Sequence, residues 1–285
     1  MNTGCDAGSG IYVAADARFD RGADRYAAYL ATSAGRLRLE LAFANLLDFL
    51  PRAAAVQLRA LDLGGGTGEI AVRLARRGVH VTLLDRSPKM LEIADRAARQ
   101  AGVSDDIVMT LGDVAASSSL FPEGSFDIIV CHHVLEYTPH PAEVLSAAAH
   151  VMRRNATATL SVVARNQAGA VVKAAIQSGD LATVERLLAD ATGDEALFGG
   201  RVRLFTPAEL RTMLREASFE PVAERGIRVL FDYLAPPIVC EAGEGRIVAL
   251  ERALGARAEF SALARYTQVL ARRRPTPRAL PEGGQ

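Results

Sequence analysis

The sequence predicts an α/β protein built on a mainly parallel sheet, and three observations support this fold class. Between residues 55 and 165, short apolar runs alternate with amphipathic stretches, which is the pattern of repeated βα units. The apolar runs are continuous in Val, Ile and Leu, as in parallel strands that are buried on both faces. Apolar residues make up 49% of the 285 residues, so the chain can bury a large core.

The βα units are predicted in order along the chain. Five strands are expected at residues 59–63, 79–84, 107–111, 126–131 and 157–163. Helices are expected between them at residues 69–77, 88–102 and 141–152. Ser87 and Pro88 provide an N-cap and a proline at the first helical position, so the second of these helices begins there.

The segments on either side complete a single domain that we expect to span residues 21–272. Apolar residues at helical spacing predict one or two helices within residues 21–54. Residues 166–205 are predicted to hold two helices, 169–177 and 181–191, with no strand between them, as a lid over a pocket at the strand ends. A capping box at Thr206 opens a further helix to Ala217. A strand at 224–231, a helix at 245–254 and a last strand at 262–270 follow, and residues 1–20 and 273–285 are predicted to be disordered.

Composition excludes several function classes. Lys and Arg total 33 and Asp and Glu total 33, so no global field attracts a polyanion. Cys5, Cys131 and Cys240 are isolated and lack metal-ligand spacing, so no metal is expected. The sequence contains neither a membrane-spanning apolar stretch nor a secretory leader pattern. We therefore expect a cytoplasmic protein, monomeric or homodimeric, with no membrane partner.

A glycine-rich loop follows the first strand and precedes a helix. The sequence Asp62-Leu63-Gly64-Gly65-Gly66-Thr67-Gly68 presents open backbone amides and a helix N-terminus to a ligand. A dinucleotide site requires a third glycine where this chain has Glu69, whose charge would repel a pyrophosphate. A ligand with a sulfonium, an amine and a carboxylate fits this loop better.

Two acidic residues follow the next two strands. Asp85, 21 residues after Gly64, is placed to accept hydrogen bonds from ribose hydroxyls, although it could be an ordinary loop acid or a helix cap. Asp113, in Gly112-Asp113-Val114, could accept from an adenine amino group. Gly-Asp-Val alone is an ordinary turn, and its position one strand after Asp85 makes it informative.

These three loops, in this order and at this spacing, resemble the motifs of class I S-adenosylmethionine-dependent methyltransferases. The resemblance implies a Rossmann-like sheet of seven strands with the last strand antiparallel. It also implies S-adenosyl-L-methionine as the cofactor and S-adenosyl-L-homocysteine as the product. The residues that we assign to the cofactor are Arg38, Asp62, Gly64, Gly65, Gly66, Gly68, Asp85, Arg86, Met90, Asp113, Val114 and His132.

Three further segments, residues 32–38, 131–137 and 226–234, resemble the subfamily of the bacterial tRNA 5-carboxymethoxyuridine methyltransferases, which esterify a carboxylate on a wobble uridine. That resemblance implies that Arg38 reaches the cofactor carboxylate, where an arginine fork pairs bidentately, and that His132 lines the methionine end. Without the resemblance, Arg38 would be interpreted as a solvated helix residue.

Other residues are candidates for the acceptor. His133 could remove a proton, although a histidine in such a loop more often only shapes the pocket. Arg228 could hold an anionic acceptor or form a salt bridge with Asp232 or Glu224, and Asn166 could bind substrate or simply form a turn. The residues that we assign to substrate binding are Tyr26, Tyr137, Asn166, Arg228 and Tyr233.

Three functions follow from these patterns. The favoured hypothesis is methyl transfer to an oxygen or nitrogen atom of a small molecule, because the surface is neutral and no RNA-binding module is recognised. The second is methyl esterification of a wobble-uridine carboxylate on tRNA, although only Arg201 and Arg203 precede the Thr206 helix where a denser basic run would be expected. The third is a protein that binds the cofactor without transferring its methyl group.

Overall fold

The computed structural model describes residues 9–50 and 57–274, with side chains described from residue 17 onward. Nine strands lie in these residues: β1 (Arg59–Leu63), β2 (His80–Asp85), β3 (Ile107–Leu111), β4 (Ile128–His132), β5 (Thr159–Arg165), β6 (Thr192–Asp194), β7 (Arg201–Arg203), β8 (Phe219–Ile227) and β9 (Tyr266–Arg273). Seven of them form one sheet in the order β3-β2-β1-β4-β5-β9-β8. Strands β6 and β7 form a separate antiparallel hairpin.

The first five strands of the sheet are parallel, and β9 runs antiparallel to both β5 and β8. This arrangement confirms the predicted seven-stranded sheet with an antiparallel last strand. The order changes direction between β1 and β4, so a crevice opens at the carboxyl ends of these two strands. Open α/β sheets bind their ligands at such a point.

Helices cover both faces of the sheet. They are α1 (Ser9–Leu30), α2 (Ser33–Leu47), α3 (Glu69–Ala75), α4 (Pro88–Ala101), α5 (Ser117–Leu120), α6 (Pro141–Val151), α7 (Gln167–Lys173), α8 (Leu181–Ala189), α9 (Pro207–Glu216), α10 (Pro236–Ala242), α11 (Glu244–Gly255) and α12 (Ala258–Ser261). One apolar cluster joins the sheet to α6 and α9, and a second joins its other face to α2, α3 and α4. The core therefore lies in two layers, one on each side of the strands.

Two helix starts were predicted from capping residues, and both are confirmed. Ser87 Oγ accepts a hydrogen bond from the Met90 amide at the start of α4, 3.2 Å away. Thr206 Oγ1 accepts from the Glu209 amide at the start of α9, at 3.1 Å. The Glu209 carboxylate contacts the Arg203 guanidinium, so its side chain is engaged by the hairpin.

The amino-terminal prediction is wrong in part. Helix α1 begins at Ser9, so residues 9–20 are helical, while residues 1–8 lie outside the described part of the chain. Tertiary contacts hold this segment: the Phe19 ring packs edge-on against the rings of Tyr137 and Phe198. Local composition contains no information about contacts with residues so far along the chain.

Four strand boundaries near the carboxyl end also differ from the prediction, and one of them is the start of β9, which lies at Tyr266 and not at residue 262. Strand β8 begins at Phe219 and ends at Ile227, because the next residue, Arg228, has a φ of 60° that breaks the strand. Strand β9 continues to Arg273, which pairs with Phe219, so this residue is not part of a disordered tail. Residues 275–285 lie outside the described part of the chain.

The insertion after β5 is not purely helical. Helix α7 continues as a π-helical turn (Ala174–Ser178), and α8 follows after Gly179. The β6–β7 hairpin then follows within residues 166–205, which we expected to form a helical lid. Its strands are three residues each, too short for a period-two pattern to be recognised in the sequence. No helix within the described ranges is long and apolar enough to cross a membrane.

Candidate cofactor and acceptor site

The glycine loop between β1 and α3 adopts backbone angles that favour glycine. Gly64, Gly66 and Gly68 have φ values of 62°, 54° and 81°. A Cβ at Gly64 would lie 2.7 Å from Val134 Cγ2, so this position has no room for a side chain. The Gly66 amide donates to Asp85 Oδ2 at 2.9 Å, which fixes the loop to the end of β2.

The loop borders a cavity of about 360 Å³ at the carboxyl ends of β1, β2 and β4. Twelve of the predicted site residues line it: Tyr26, Arg38, Gly64, Gly66, Asp85, Arg86, Met90, Asp113, Val114, His132, His133 and Tyr137. A recess of about 40 Å³ contains Asp62 and Gly65 and shares Arg38, His132 and His133 with the main cavity. The structure thus brings together residues that are up to 111 positions apart, from Tyr26 to Tyr137.

Asp62 is a buried carboxyl with an unsatisfied oxygen. Its Oδ2 has no hydrogen-bond partner among the described residues. Burial and, secondly, the nearby Asp85 carboxyl raise the pKa of Asp62 to about 7. A cationic ligand in the recess would favour the ionised form and provide the missing partner.

Arg38 is a buried cation that lacks a carboxylate partner among the described residues. Its guanidinium lies over the rings of Tyr26, Tyr29 and Tyr266, at 5.0 to 5.8 Å, and donates to Tyr26 Oη at 3.1 Å. No carboxylate of the described residues lies within 4.0 Å of Arg38, although many other arginines have such a partner. A ligand carboxylate would supply the counter-charge.

The adenosine end of the predicted cofactor corresponds to the other end of the cavity. Asp85 is buried, and its two oxygens accept from the amides of Gly66 and Ser87, both at 2.9 Å. Each oxygen keeps a second lone pair for a ribose hydroxyl. Asp113 accepts from the Ala115 amide and lies 3.5 Å from Arg86, while its side chain remains 52% exposed at the cavity edge.

These groups fit S-adenosylmethionine. The Asp62 recess suits the ammonium group, Arg38 the carboxylate and Asp85 the ribose. The glycine backbone leaves space beside the loop that a Cβ would fill. The donor set therefore matches a ligand with one carboxylate and two positive centres better than it matches a pyrophosphate.

The two adjacent histidines have different partners. His132 Nε2 lies 2.7 Å from Ser161 Oγ, which accepts a hydrogen bond from Gln268 Nε2 at 2.9 Å. Burial, with His133 and Arg38 nearby, lowers the pKa of His132 to about 3, so this ring is neutral.

A loop of the insertion closes the cavity. Leu197 and Phe198, between β6 and β7, line it, and the Phe198 ring packs against the rings of Phe19, Tyr26 and Tyr137. The covering residues therefore come from the hairpin and not from the two predicted helices. Gly22 in α1 makes room for this contact, because a Cβ there would lie 2.5 Å from Phe198 Cδ1.

A buried polar cluster attaches the hairpin to the sheet. Glu195 forms an ion pair with Arg165 at the end of β5, and its Oε2 also accepts from Tyr137 Oη at 2.8 Å. Its Oε1 accepts from the Leu197 amide at 2.7 Å. The position of the cavity cover thus depends on one carboxylate that is 4% exposed.

Four predicted site residues do not line the cavity. Asn166 caps α7, and both hydrogens of its amide are directed to the carbonyls of Ala262 and Ala264, so no donor remains for a substrate. Arg228 is buried and forms an ion pair with Asp232, which was the alternative to holding an anionic acceptor. Tyr233 lies in a 3-10 turn (Phe231–Tyr233) away from the cavity, and Gly68 packs against Ala94.

Sequence reasoning missed several lining and supporting residues. Phe19 was assigned to a disordered segment, and Phe198 to a helical insertion. Arg165, Glu195 and Glu136 were not singled out at all. No local motif marks these residues, because their roles arise from contacts between elements that are distant in sequence, such as Glu195 with Arg165.

Comparison with known proteins gives a consistent picture. A family model described as a methyltransferase domain matches residues 33–224. The tRNA 5-carboxymethoxyuridine methyltransferase of Escherichia coli is 29% identical over 270 residues, covering 90% of this chain and 97% of that protein. The ubiquinone biosynthesis O-methyltransferase of Ralstonia nicotianae is 32% identical over 169 residues, covering 59% of this chain and 66% of that protein.

Solved structures share the fold. A SAM-dependent methyltransferase of Thermotoga maritima, described as a possible histamine N-methyltransferase, superposes with a TM-score of 0.58 at 17% identity, covering 90% of this chain and 98% of its own. The 1,6-didemethyltoxoflavin-N1-methyltransferase of Burkholderia thailandensis, solved with bound 1,6-didemethyltoxoflavin and S-adenosylhomocysteine, superposes with a TM-score of 0.57 at 17% identity, covering 96% of this chain and 93% of its own. At these identities the likeness concerns the fold alone.

Proposed function

Because this chain belongs to the methyltransferase-domain family and uses S-adenosylmethionine, we propose that it transfers the methyl group to an oxygen or nitrogen atom of a small molecule. The observation that carries this proposal is the small size of the cavity, together with the hairpin residues that lie over it. Phe198 and Leu197 cover it, and the whole cavity measures about 360 Å³, near the lower limit of ligand pockets, about 300 Å³. Bound S-adenosylmethionine would take up much of that space, so the acceptor, or the part of it that enters, is small.

Surface charge supports the same proposal. The two arginines before α9 are both engaged, since Arg201 pairs with Asp190 and Arg203 with Glu209. Many other exposed arginines of the described residues are likewise paired with carboxylates. A tRNA ligand needs cations that can neutralise phosphates, and each of these would first have to exchange its carboxylate partner.

The site residues then act by binding and by excluding water. When bound, the cofactor supplies an electrophilic methyl group on a sulfonium. Asp62, Arg38 and Asp85 fix its two ends, while Phe198 and Tyr137 keep solvent from the reacting atoms. Such positioning of two reactants contributes up to about 7–11 kcal/mol to the lowering of a barrier.

A second candidate is methyl esterification of a tRNA wobble nucleoside. The observation that favours it is the similarity to the Escherichia coli tRNA enzyme, which extends over 97% of that protein. The pairing of Arg201 and Arg203 with carboxylates, just before α9, speaks against it.

The test measures S-adenosylhomocysteine formation by the purified protein with a small-metabolite extract and, separately, with bulk tRNA from a strain that lacks the gene. We expect turnover with the extract and none with tRNA. Turnover with tRNA alone, together with a changed wobble nucleoside in the deletion strain, would replace the proposal by the second candidate. Tight cofactor binding in calorimetry with no turnover on either would indicate a binding protein without transfer activity.

A further inference from the structure

We propose that the methylated atom is a hydroxyl oxygen and that His133, oriented by Glu136, removes its proton. This inference rests on the proposed function, since it specifies the class of small molecule: an alcohol, phenol or enol. Its basis is a buried histidine–carboxylate pair beside the acceptor end of the cavity.

The backbone holds His133 in an unusual conformation. His133 follows β4 directly and has a φ of 58°, a region that L residues rarely adopt. Its amide donates to the Val163 carbonyl at 2.8 Å, and its ring lies edge-on against the Tyr266 ring, with centroids 4.7 Å apart. Strained residues of this kind persist where the surrounding structure determines them, and they concentrate at active sites.

Glu136 fixes the orientation of the imidazole. Its Oε1 lies 3.1 Å from His133 Nδ1 and also accepts from the Arg165 amide at 2.9 Å. The Glu136 side chain is fully buried, and its Oε2 has no partner within the described residues. A carboxylate at Nδ1 places the ring proton there, so Nε2 carries the lone pair.

The accepting nitrogen is available to a substrate. In the part of the chain that the structure describes, His133 Nε2 has no hydrogen-bond partner, and the His133 side chain is 12% exposed and lines the cavity. Burial raises the pKa of Glu136 to about 7, and a proton taken up at His133 Nε2 would create an imidazolium that favours the ionised form of Glu136 and is balanced by its charge. Glu136 is therefore a positioning residue, while His133 touches the acceptor.

The groups around His133 keep it unprotonated before the reaction. They are Arg38, Glu136, Glu195, Arg165, Arg228, His132 and Tyr266. Burial and then the cations Arg38, Arg165 and Arg228 lower the pKa of His133 well below its usual range, while Glu195 raises it. The neutral ring therefore persists into mildly acidic solution, while the same effects make it a weaker base than a free imidazole, so the proton reaches it during methyl transfer and not before.

The charges at this end of the cavity favour a hydroxyl acceptor over a carboxylate. A carboxylate would need a free cation, but Arg165 is paired with Glu195. Neither a carboxylate nor a neutral amine needs a base before it attacks, whereas a hydroxyl does. In the transfer, the acceptor oxygen forms a bond to the methyl carbon and its proton moves to His133 Nε2, while the carbon–sulfur bond breaks and its electron pair stays on sulfur.

The experiment combines a structural and a catalytic readout on the full-length protein. Nitrogen-15 NMR of the imidazoles, with S-adenosylhomocysteine added, reports the tautomer, and His133→Gln identifies the resonance. We expect the Nδ1–H form at pH 7, retained in Glu136→Asp and lost in Glu136→Gln. A ring protonated at Nε2 overturns the inference, whatever the activity results show.

Transfer is then measured with phenol, catechol and 2-naphthol, and with benzoate and aniline for comparison. We expect methylation of the hydroxyl compounds, falling about 100- to 10,000-fold in His133→Ala and recovering as pH rises toward the acceptor's own ionisation. The exposed His150→Ala serves as the matched control. Methylation of benzoate or aniline alone, or full activity in His133→Ala, overturns the base but not the small-molecule proposal, whereas activity with tRNA alone overturns the proposed function itself.

Discussion

Replacing Asp62 by Asn should stabilise the protein while weakening its cofactor site. Asp62 is 3% exposed, and its Oδ2 has no partner within the described residues. Burial and the Asp85 carboxyl raise the pKa of Asp62 to about 7, so ionisation in the folded chain is costly. An asparagine has nearly the same shape and carries no charge, so it removes this cost.

The magnitude follows from the difference between the folded pKa of about 7 and the ordinary value near 3.9. Each tenfold change in proton affinity corresponds to about 1.4 kcal/mol, so the full effect is about 4 kcal/mol. The pKa of Asp62 is higher in the folded chain than in the unfolded chain. Protonated Asp62 therefore makes its full contribution to stability below about pH 4, and this contribution is lost as pH rises toward 7. The advantage of Asp62→Asn should therefore be about 1–2 kcal/mol at pH 5 and should reach its limit above pH 7.

The assay is urea unfolding of the wild type and of Asp62→Asn at pH 5, 7 and 8.5, without cofactor. The exposed Asp105→Asn makes the same change of charge and should alter stability by less than about 0.5 kcal/mol. Calorimetry at pH 8.5 should show weaker S-adenosylmethionine binding to Asp62→Asn, because the ligand's positive centres lose an anionic partner. If Asp62→Asn is no more stable than the wild type at pH 8.5, or if its gain in unfolding stability does not depend on pH, then ionisation of Asp62 does not destabilise the fold and the reasoning is refuted.

Three further substitutions test other parts of the site. Arg38→Met should weaken S-adenosylhomocysteine binding by about 10- to 100-fold in calorimetry, since a buried charged hydrogen bond contributes about 1.5–3 kcal/mol, while the exposed Arg36→Met should not. Gly22→Ala should displace Phe198 and speed cofactor dissociation in stopped-flow fluorescence, and adding Phe198→Ala to it should have no further effect. Gly68→Ala should lower unfolding stability by about 1–3 kcal/mol, because φ there is 81°.

Each of these expectations has a clear contrary result. Equal effects of Arg38→Met and Arg36→Met would mean that Arg38 does not meet the ligand carboxylate. Additive effects of the Gly22 and Phe198 changes would mean that the two residues act independently. An unchanged unfolding midpoint for Gly68→Ala would mean that the close contact with Ala94 can relax at no cost.

The central sheet and the cofactor end were predictable because they depend on local patterns. Buried strands are continuous apolar runs, and the loops after them bring Gly64, Asp85 and Asp113 to one edge of a parallel sheet. Capping residues fixed helix starts to the residue, as at Ser87 and Thr206. In all these cases the sequence signal and the structural consequence lie within a few residues of each other.

The other site residues were missed because their roles depend on partners that are distant in the sequence. A glutamate such as Glu195 looks like any lid residue until the fold places it against Arg165. Asn166 and Arg228 show the reverse case, because residue types suited to binding a substrate are fully engaged by backbone carbonyls and by Asp232. What separates residues that serve the site from residues such as Asn166 is whether their hydrogen-bonding groups are already engaged. This can be judged only once the partners of each residue are known.

Hydrogen-bond and ion-pair saturation also explains why the protein recognises the acceptor in a different way from the cofactor. At the cofactor end, Asp62 and Arg38 each lack a counterpart within the described residues, so the protein carries the complement of the ligand's charges. At the acceptor end, Arg165 has Glu195, and Nε2 of His133, a residue that lines the cavity, has no hydrogen-bond partner among the described residues. A site whose charges are internally balanced selects its ligand by shape and by a single proton-accepting position. The acceptor is therefore best sought among neutral hydroxyl compounds small enough to fit beneath Phe198.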